Sequence, residues 1–322
     1  MIVTVTPNPS IDRTIEVDAL SPGHVNRATS SRLDPGGKGI NVSRALVANG
    51  GDSLAVLPIG GTDGGVMTEL LSRADVPVRA VPMAGSVRTN VAVVEPDGTT
   101  TKVNEPGPVL EEAERAAFLQ AVADAVGAAP QSWVVGCGSL PGGVAVDFYA
   151  DLVRLAHDHG CRAVVDASGA PLAAALPAGP DLIKPNRVEL GEIVGTDLDT
   201  VGAVVSASRD LIASGVGRLL VSLGRDGALL ITAESVLHAG ASVERPVSTV
   251  GAGDCTLAGF LLAASTTGYE SDEEAASALS TAVAFGSAAV ALPGTKVPTP
   301  EQVAAVHVTL TTDPDASTPL RD

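Results

Sequence analysis

WVVGCGSLPGGVAVDFYADLVRLAHDHGCRAVVD, residues 133–166, opens on a short apolar run at 133–136 and turns through Gly138-Ser139-Leu140-Pro141. It then enters a helical pattern at 146–158 and returns to an apolar run at 163–166. The same alternation extends in both directions. Strands are predicted at 2–6, 54–59, 182–184 and 219–222, and helices at 40–49, 66–74, 111–125 and 204–214. That order predicts an α/β fold, an open and mostly parallel sheet with helices on both faces. Ligands of such sheets lie at the carboxyl ends of the strands. Two segments break the pattern, 13–32 and 86–102, which alternate as extended hairpins and predict a small second sheet. One domain is expected over 1–308, with a flexible tail over 309–322.

Hydrophobic residues make up 45% of the 322 residues, and aromatics only 2%, so the core must be built from Ala, Val and Leu. A formal net charge of −17 argues against nucleic acid as a partner, because phosphate contacts need clustered Lys and Arg. A small anion can still bind where a few cations converge. Cys137, Cys161 and Cys255 form no paired motif, which suggests a reducing cytoplasm. His157 and His159 do not share a helix face, so no metal site is expected there. The N-terminal residues alternate like a strand and lack the regions of a signal peptide. The uncharged stretch 276–292 is slightly short for a bilayer and predicts a buried helix, with no membrane partner.

The chemistry concentrates in Thr249-Val250-Gly251-Ala252-Gly253-Asp254-Cys255-Thr256, where a strand or loop turns into a helix. First-turn amides have no intrahelical partner, and with the helix dipole they cradle an anion. Glycines let the backbone approach a ligand. A carboxylate there repels phosphate but suits proton removal from an alcohol attacking it, so the run reads as a phosphoryl-transfer site. The alternative for Asp254 is a helix N-cap. The run also begins like a dinucleotide fingerprint, but Thr256 stands where Gly or Ala belongs.

Asp34-Pro35-Gly36-Gly37-Lys38-Gly39-Ile40-Asn41 opens another helix and suggests a second anion site; Gly39 and Arg32 fail the Walker pattern, and the alternative is a plain glycine turn. In Lys184-Pro185-Asn186-Arg187-Val188-Glu189, Asn186 and Glu189 share a face of a first turn. They suit the water shell of Mg²⁺, or a capping box, and both readings can hold together. Ser222-Leu223-Gly224-Arg225-Asp226-Gly227 ends a strand in a glycine turn fit for a nucleotide phosphate, or in a simple hairpin. Asp12, Arg27 and Arg88 are spread through the two extended segments, and each alone reads as a solvated charge.

Taken together, Gly36–Asn41, Gly138–Pro141, Lys184–Glu189 and Gly251–Asp254 resemble, in order, the signatures of the ribokinase-like (PfkB-type) carbohydrate kinases, over about residues 1–305. Thr6-Pro7-Asn8-Pro9-Ser10-Ile11-Asp12 resembles the phosphosugar branch. Val25-Asn26-Arg27-Ala28 and Lys38 are most similar to the members acting on fructose 1-phosphate. The resemblance implies a three-layer αβα kinase with a β lid, using ATP and Mg²⁺, cytoplasmic, and a homodimer through the lid. It implies Asp254 as general base, with the amides of Gly251, Ala252 and Gly253 as anion hole. Asp12, Gly37 and Asn41 would bind sugar hydroxyls, and Arg27, Lys38 and Arg88 the existing phosphate. Asn186 and Glu189 would organise Mg²⁺, and Lys184, Ser222, Gly224 and Gly227 would line the ATP phosphates. The expected reaction converts fructose 1-phosphate to fructose 1,6-bisphosphate. Alternatives are a tagatose-6-phosphate or minor-type fructose-6-phosphate kinase and a non-catalytic sugar-phosphate sensor; the failed fingerprint disfavours a nicotinamide oxidoreductase.

Overall fold

The computed structural model describes residues 1–128 and 131–321. Among these residues the chain runs β1 (Ile2–Val5), β2 (Ser10–Val17), β3 (Ala28–Gly36), α1 (Lys38–Ala48), β4 (Ser53–Ile59), α2 (Gly61–Arg73), β5 (Val78–Pro82), β6 (Arg88–Val94) and β7 (Thr100–Asn104). It continues through α3 (Glu112–Gly127), β8 (Trp133–Cys137), α4 (Phe148–Asp158), β9 (Arg162–Asp166), α5 (Gly169–Ala175), β10 (Leu182–Ile183), α6 (Arg187–Val194), α7 (Val201–Ala213) and β11 (Leu219–Ser222). It ends with β12 (Ala228–Ile231), β13 (Val236–Ala241), α8 (Ala252–Thr267), α9 (Asp272–Val290), α10 (Pro300–Ala304) and β14 (Val308–Thr312).

A ten-stranded sheet has the order β14-β13-β12-β11-β10-β9-β8-β1-β4-β5. It is parallel from β5 to β11 and antiparallel from β11 to β14. Side chains of a strand alternate between faces, and here both faces are covered. Trp133, Val135 and Cys137 of β8, Val164 of β9 and Leu220 of β11 enter one core with α8 and α9. Their neighbours Val134, Ala163, Val165, Leu219 and Val221 enter the other, with α3, α4 and α7. This is why these strands read as unbroken apolar runs.

The predicted hairpins form a separate four-stranded sheet, β3-β2-β6-β7. β2 joins the pairs by running parallel to β6. β7 is fully exposed and β6 half-buried, so one sheet edge and much of its surface face solvent. Ile11, Ile40, Leu57, Met67 and Met83 make a small core that fixes the base of this lid to α1 and α2.

α9 is the expected buried helix; Ser271 accepts from the Glu274 N–H to cap it, and the helix packs on α8. Among the described residues no helix is long and apolar enough to cross a membrane. The tail differs from expectation. Residues 308–312 alternate Val-Thr-Leu-Thr-Thr, pair with β13 and cover its otherwise open edge. Beyond them, Thr318 and Ala316 carbonyls accept from Val201 and Gly202 at the start of α7.

Candidate active site

The carboxyl ends of β1, β8, β9, β10 and β11 open into a cleft of about 1140 Å³, with the starts of α1, α6 and α8 at its wall. The two glycine motifs therefore meet. Gly37 precedes α1 with φ 117° and Gly251 precedes α8 with φ 78°, left-handed backbone that glycine adopts without strain. Each aims a helix N-terminus at the cleft.

Asp254 is the third residue of α8, and Gly251 is the cap, so the N-cap alternative does not describe Asp254. Its side chain is buried, and Oδ2 accepts from Asn41 Nδ2 at 2.8 Å. Burial chiefly, and then the neighbouring Asp166 carboxylate, push the Asp254 carboxyl up to about 6 against the pull of Asn41, Lys38 and Lys184. Ala252 N–H bonds Thr249 O at 3.3 Å, and Cys255 N–H closes the first helical bond to Gly251 O at 2.9 Å. The N–H groups of Gly251, Gly253 and Asp254 meet no acceptor among the described residues. The open amides are thus these three rather than those of Gly251, Ala252 and Gly253.

Beside Asp254 lies a charge cluster. Asp166, the last residue of β9, is fully buried; Lys38 Nζ donates to its Oδ1 at 2.8 Å and Lys184 Nζ lies 3.3 Å from Oδ2. Burial would raise the Asp166 carboxyl, but Lys184 and Lys38 hold it below the usual carboxylate range. Burial would likewise lower the Lys38 ammonium, but Asp166 foremost, with Glu189 and Asp254, holds it above its ordinary value. Glu189 Oε1 is 3.9 Å from Lys38 Nζ. Its Oε2 accepts from the Asn186 N–H at 2.9 Å while Asn186 Oδ1 accepts from the Glu189 N–H at 2.8 Å. The capping box exists, and it turns the second carboxylate oxygen of Glu189 toward the lysine. Ser222, Gly224 and Gly227 line the cleft next to Asn186, to which Ser222 is bridged.

At the lid end, Asn90 of β6 sits opposite Asp12 of β2 in the parallel register. Asp12 Oδ1 accepts from Ser10 Oγ at 2.8 Å and from Asn90 Nδ2 at 3.2 Å. Burial outweighs these bonds and Arg88, and raises the Asp12 carboxyl. Arg88 is anchored by the carbonyls of Glu105, at 2.8 Å, and Asn8, at 3.3 Å. Asn8 Nδ2 donates to Ser139 Oγ and to Pro106 O, each at 3.1 Å, tying the first strand's loop to the Gly138–Pro141 turn.

Residues 5–302 match the pfkB family carbohydrate kinase profile. The chain belongs to this family. It is a phosphotransferase with the ribokinase-like fold. The 1-phosphofructokinase of Rhodobacter capsulatus is 38% identical over 312 residues, 96% of each chain. The ATP-dependent 6-phosphofructokinase isozyme 2 of Mycobacterium tuberculosis is 38% identical over 261 residues, covering 80% of this chain and 76% of that protein. The crystal structure of Escherichia coli phosphofructokinase-2 with substrates and products superposes with a TM-score of 0.86 at 33% identity, covering 94% of this chain and 97% of that one. These place the chain among phosphofructokinase-type sugar-phosphate kinases.

Of the residues that the family resemblance singles out, Asp12, Gly37, Lys38, Asn41, Arg88, Lys184, Asn186, Glu189, Ser222, Gly224, Gly227 and Gly251–Asp254 all line the cleft. Arg27 does not; it is exposed on the connection between β2 and β3, held apart from the site by the lid's length. Asn41 lines the cleft with one Nδ2 donor on Asp254 and its Oδ1 accepting from Arg44 Nη1 at 3.2 Å. Lys38 lines the cleft with its ammonium on Asp166 and 3.9 Å from Glu189. Asn90 and Ser139, which line the cleft, and Asp166, buried behind Lys38 and Lys184, have no role in the sequence reading. Asp166 carried one signal: it ends a predicted strand at the end where ligands sit.

Proposed function

We propose that this chain transfers the terminal phosphoryl of ATP to the free primary hydroxyl of fructose 1-phosphate. The observation that carries the mechanism is Asp254, buried at the start of α8, held by Asn41, raised to about 6, and adjacent to open amides. A carboxylate with that affinity is mostly ionised at neutral pH yet basic enough to accept the hydroxyl proton as the oxygen attacks. The Gly251, Gly253 and Asp254 amides and the α8 dipole would take the developing charge on the transferred group. Phosphoryl transfer depends on such positioning and neutralisation.

Asp12 and Asn90 would receive the sugar hydroxyls, and Arg88 with Ser139 the existing phosphate. Buried Asn8 Oδ1, Asn90 Oδ1, Thr6 Oγ1 and Arg88 Nε lack partners among the described residues, which suits a polyhydroxylated anion. Lys38, Lys184, Ser222, Gly224 and Gly227 would hold the ATP phosphates. The residues fit Mg²⁺ in the manner of a hydrated ion: among the described residues no group of three or more acids, His or Cys could cage one, and Glu189 offers one carboxylate oxygen. Glu189 and Asn186 would hold it through its water, and its charge would neutralise the phosphate oxygens. The exposed lid sheet supports a homodimer built through it.

The names of relatives favour fructose 1-phosphate, with 35–40% identity to 1-phosphofructokinases of three bacteria. The second reading, fructose 6-phosphate, is supported by the Mycobacterium tuberculosis relative at 38% identity. A coupled ADP-release assay with fructose 1-phosphate, fructose 6-phosphate and tagatose 6-phosphate ranks them by kcat/KM. A preference for either 6-phosphate overturns the choice of sugar. Asp254→Asn should lose several orders of magnitude in turnover while still binding the phosphosugar; near-normal turnover overturns the base.

A further inference from the structure

Arg44 lies on α1 three residues after Asn41 and is buried, with 9% of its surface exposed. The chemistry above does not use it. A buried guanidinium is costly unless its donors are employed. Its Nη1 donates to Asn41 Oδ1 at 3.2 Å, to Thr295 O at 3.1 Å and to Pro35 O at 3.4 Å. Asn41 Nδ2 in turn donates to Asp254 Oδ2 at 2.8 Å. The three side chains form a chain from guanidinium to amide to carboxylate.

An amide has two unlike ends. As placed, Asn41 turns its oxygen to a cation and its NH₂ to an anion. Flipped, it would set oxygen against carboxylate and NH₂ against guanidinium, exchanging two attractions for two repulsions. Asp254 alone favours the observed orientation, and Arg44 doubles the preference from the other side. We propose that Arg44 is a positioning residue: it locks the Asn41 amide so that Asn41 donates to Asp254 and fixes the aim of that carboxylate at the acceptor hydroxyl. This inference rests on Asp254 being the base.

Other charges surround the chain of contacts. Asp254 is faced by Asp166 of β9, Lys38 of α1 and Lys184 after β10. Arg44 is faced by Asp12 of β2, by Arg32 and Asp34 of β3 and by Cys255 of α8. Among the described residues none of these bonds Asn41 Oδ1, so the amide's oxygen depends on Arg44. Pro35 belongs to the lid strand β3, so the root of the lid and the base share one guanidinium.

The test is steady-state kinetics of Arg44→Met, Arg44→Lys, Asn41→Ala and the Arg44→Met/Asn41→Ala double variant, each with a full pH profile and a melting curve. One charged hydrogen bond lost in the transition state is worth about tenfold in rate. Arg44→Met should lower kcat about tenfold, change KM for ATP less than about twofold, and move the acid limb of kcat upward by roughly half a pH unit. In the Asn41→Ala background the same substitution should cost less than about twofold, because the two residues act in series. Arg44→Lys keeps the charge without the fork and should show a smaller upward shift of the limb with a smaller loss. It also serves if Arg44→Met fails to fold. A folded Arg44 variant with an unmoved limb, or a full tenfold loss repeated in the double variant, overturns the proposal. Asp254→Asn separates the two claims: if it stays active the base assignment fails, and if it is inactive while Arg44 variants keep the limb, only Arg44's role fails.

Discussion

Asp166→Asn tests whether the paired lysines and the base share one electrostatic field. Asp166 is the second cause, after burial, of the raised Asp254 carboxyl. A like charge within about 10 Å, acting through an effective dielectric of about 20, contributes about 1–2 kcal/mol. Allowing for screening in an open cleft, about 1 kcal/mol corresponds to roughly 0.7 of a pH unit. Freeing Lys38 and Lys184 from Asp166 acts in the same direction, since both then draw on Asp254. The acid limb of kcat, set by a carboxyl at about 6, should therefore fall to about 5.3 in the variant. At pH 5.5 the natural chain would run at about a quarter of its plateau and the variant at about 60% of its own, lower, plateau. The variant also takes from Lys184 its carboxylate partner and leaves Lys38 only Glu189, at 3.9 Å. Breaking such a pair costs about 3 kcal/mol, or roughly 4 °C in Tm for a chain of this size. Because the folded Asp166 carboxyl is lowered, its stabilisation is complete above the unfolded value near 3.9 and fades only as pH falls through the folded one. The gap in Tm between the two proteins should thus persist from about pH 5 to 8, narrowing by the equivalent of about 1 kcal/mol as Asp254, raised further in the natural chain than in the variant, ionises between about pH 5 and 7. An acid limb that stays put or moves upward refutes the shared field, and a Tm gap that vanishes by pH 8 refutes the assignment of Asp166 as an ionised partner.

Three further outcomes follow from the geometry. Gly251→Ala places a side chain at φ 78° with only ordinary contact to Thr295, so its cost is the backbone conformation alone, about 1 kcal/mol; kcat should fall with the displaced amides while Tm drops by only about 2 °C. Glu189→Gln keeps an oxygen for the Asn186 N–H and should leave Tm within about 1 °C, whereas the Mg²⁺ concentration for half activation should rise about tenfold; a loss of stability without a shift in Mg²⁺ would reduce Glu189 to a cap. Arg88→Ala should raise KM for the phosphosugar by about tenfold or more and leave KM for ATP unchanged, read from initial rates with each substrate varied.

Most of the parallel half of the sheet was legible because its strands are apolar on both faces and ended by turns. The runs at 133–136, 163–166 and 219–222 match β8, β9 and β11 almost residue for residue. The antiparallel half was not. Ala228–Ile231 is four apolar residues, too short to separate from a loop, and Val236–Ala241 contains a glycine and a histidine. Residues 308–312 gain their structure only from the edge of β13, a partner invisible in local sequence. α2 starts at Gly61, against helix propensity, which hid its first turn. The same division holds at the site. Local motifs exposed Gly37, Asn186, Glu189 and Asp254 because glycines and caps have fixed spacing. Asp166 and Arg44 carry no local mark. Asp166 acquires meaning from Lys38, 128 residues away, and Arg44 from Thr295, 251 residues away.

The distribution of charge explains how a chain of net −17 can receive two polyanions. The cations at the cleft are not simply free. Lys38 and Lys184 share Asp166, and Arg88 is anchored to backbone carbonyls, so each is preorganised rather than neutralised by mobile surface acids. Preorganisation lets a few cations act at full strength, because no side chain has to be reordered when an anion arrives. The buried acids serve opposite ends. Asp166, held ionised by two lysines, fixes cations; Asp254, held close to its protonation point by burial and by Asp166, is suited to the proton acceptance we propose for it. The dependence runs one way: the charge of Asp166 that pins the lysines adds to burial in raising the Asp254 carboxyl. The net acidity elsewhere keeps competing anions from being drawn to the rest of the surface, leaving the cleft as the place where phosphate is favoured.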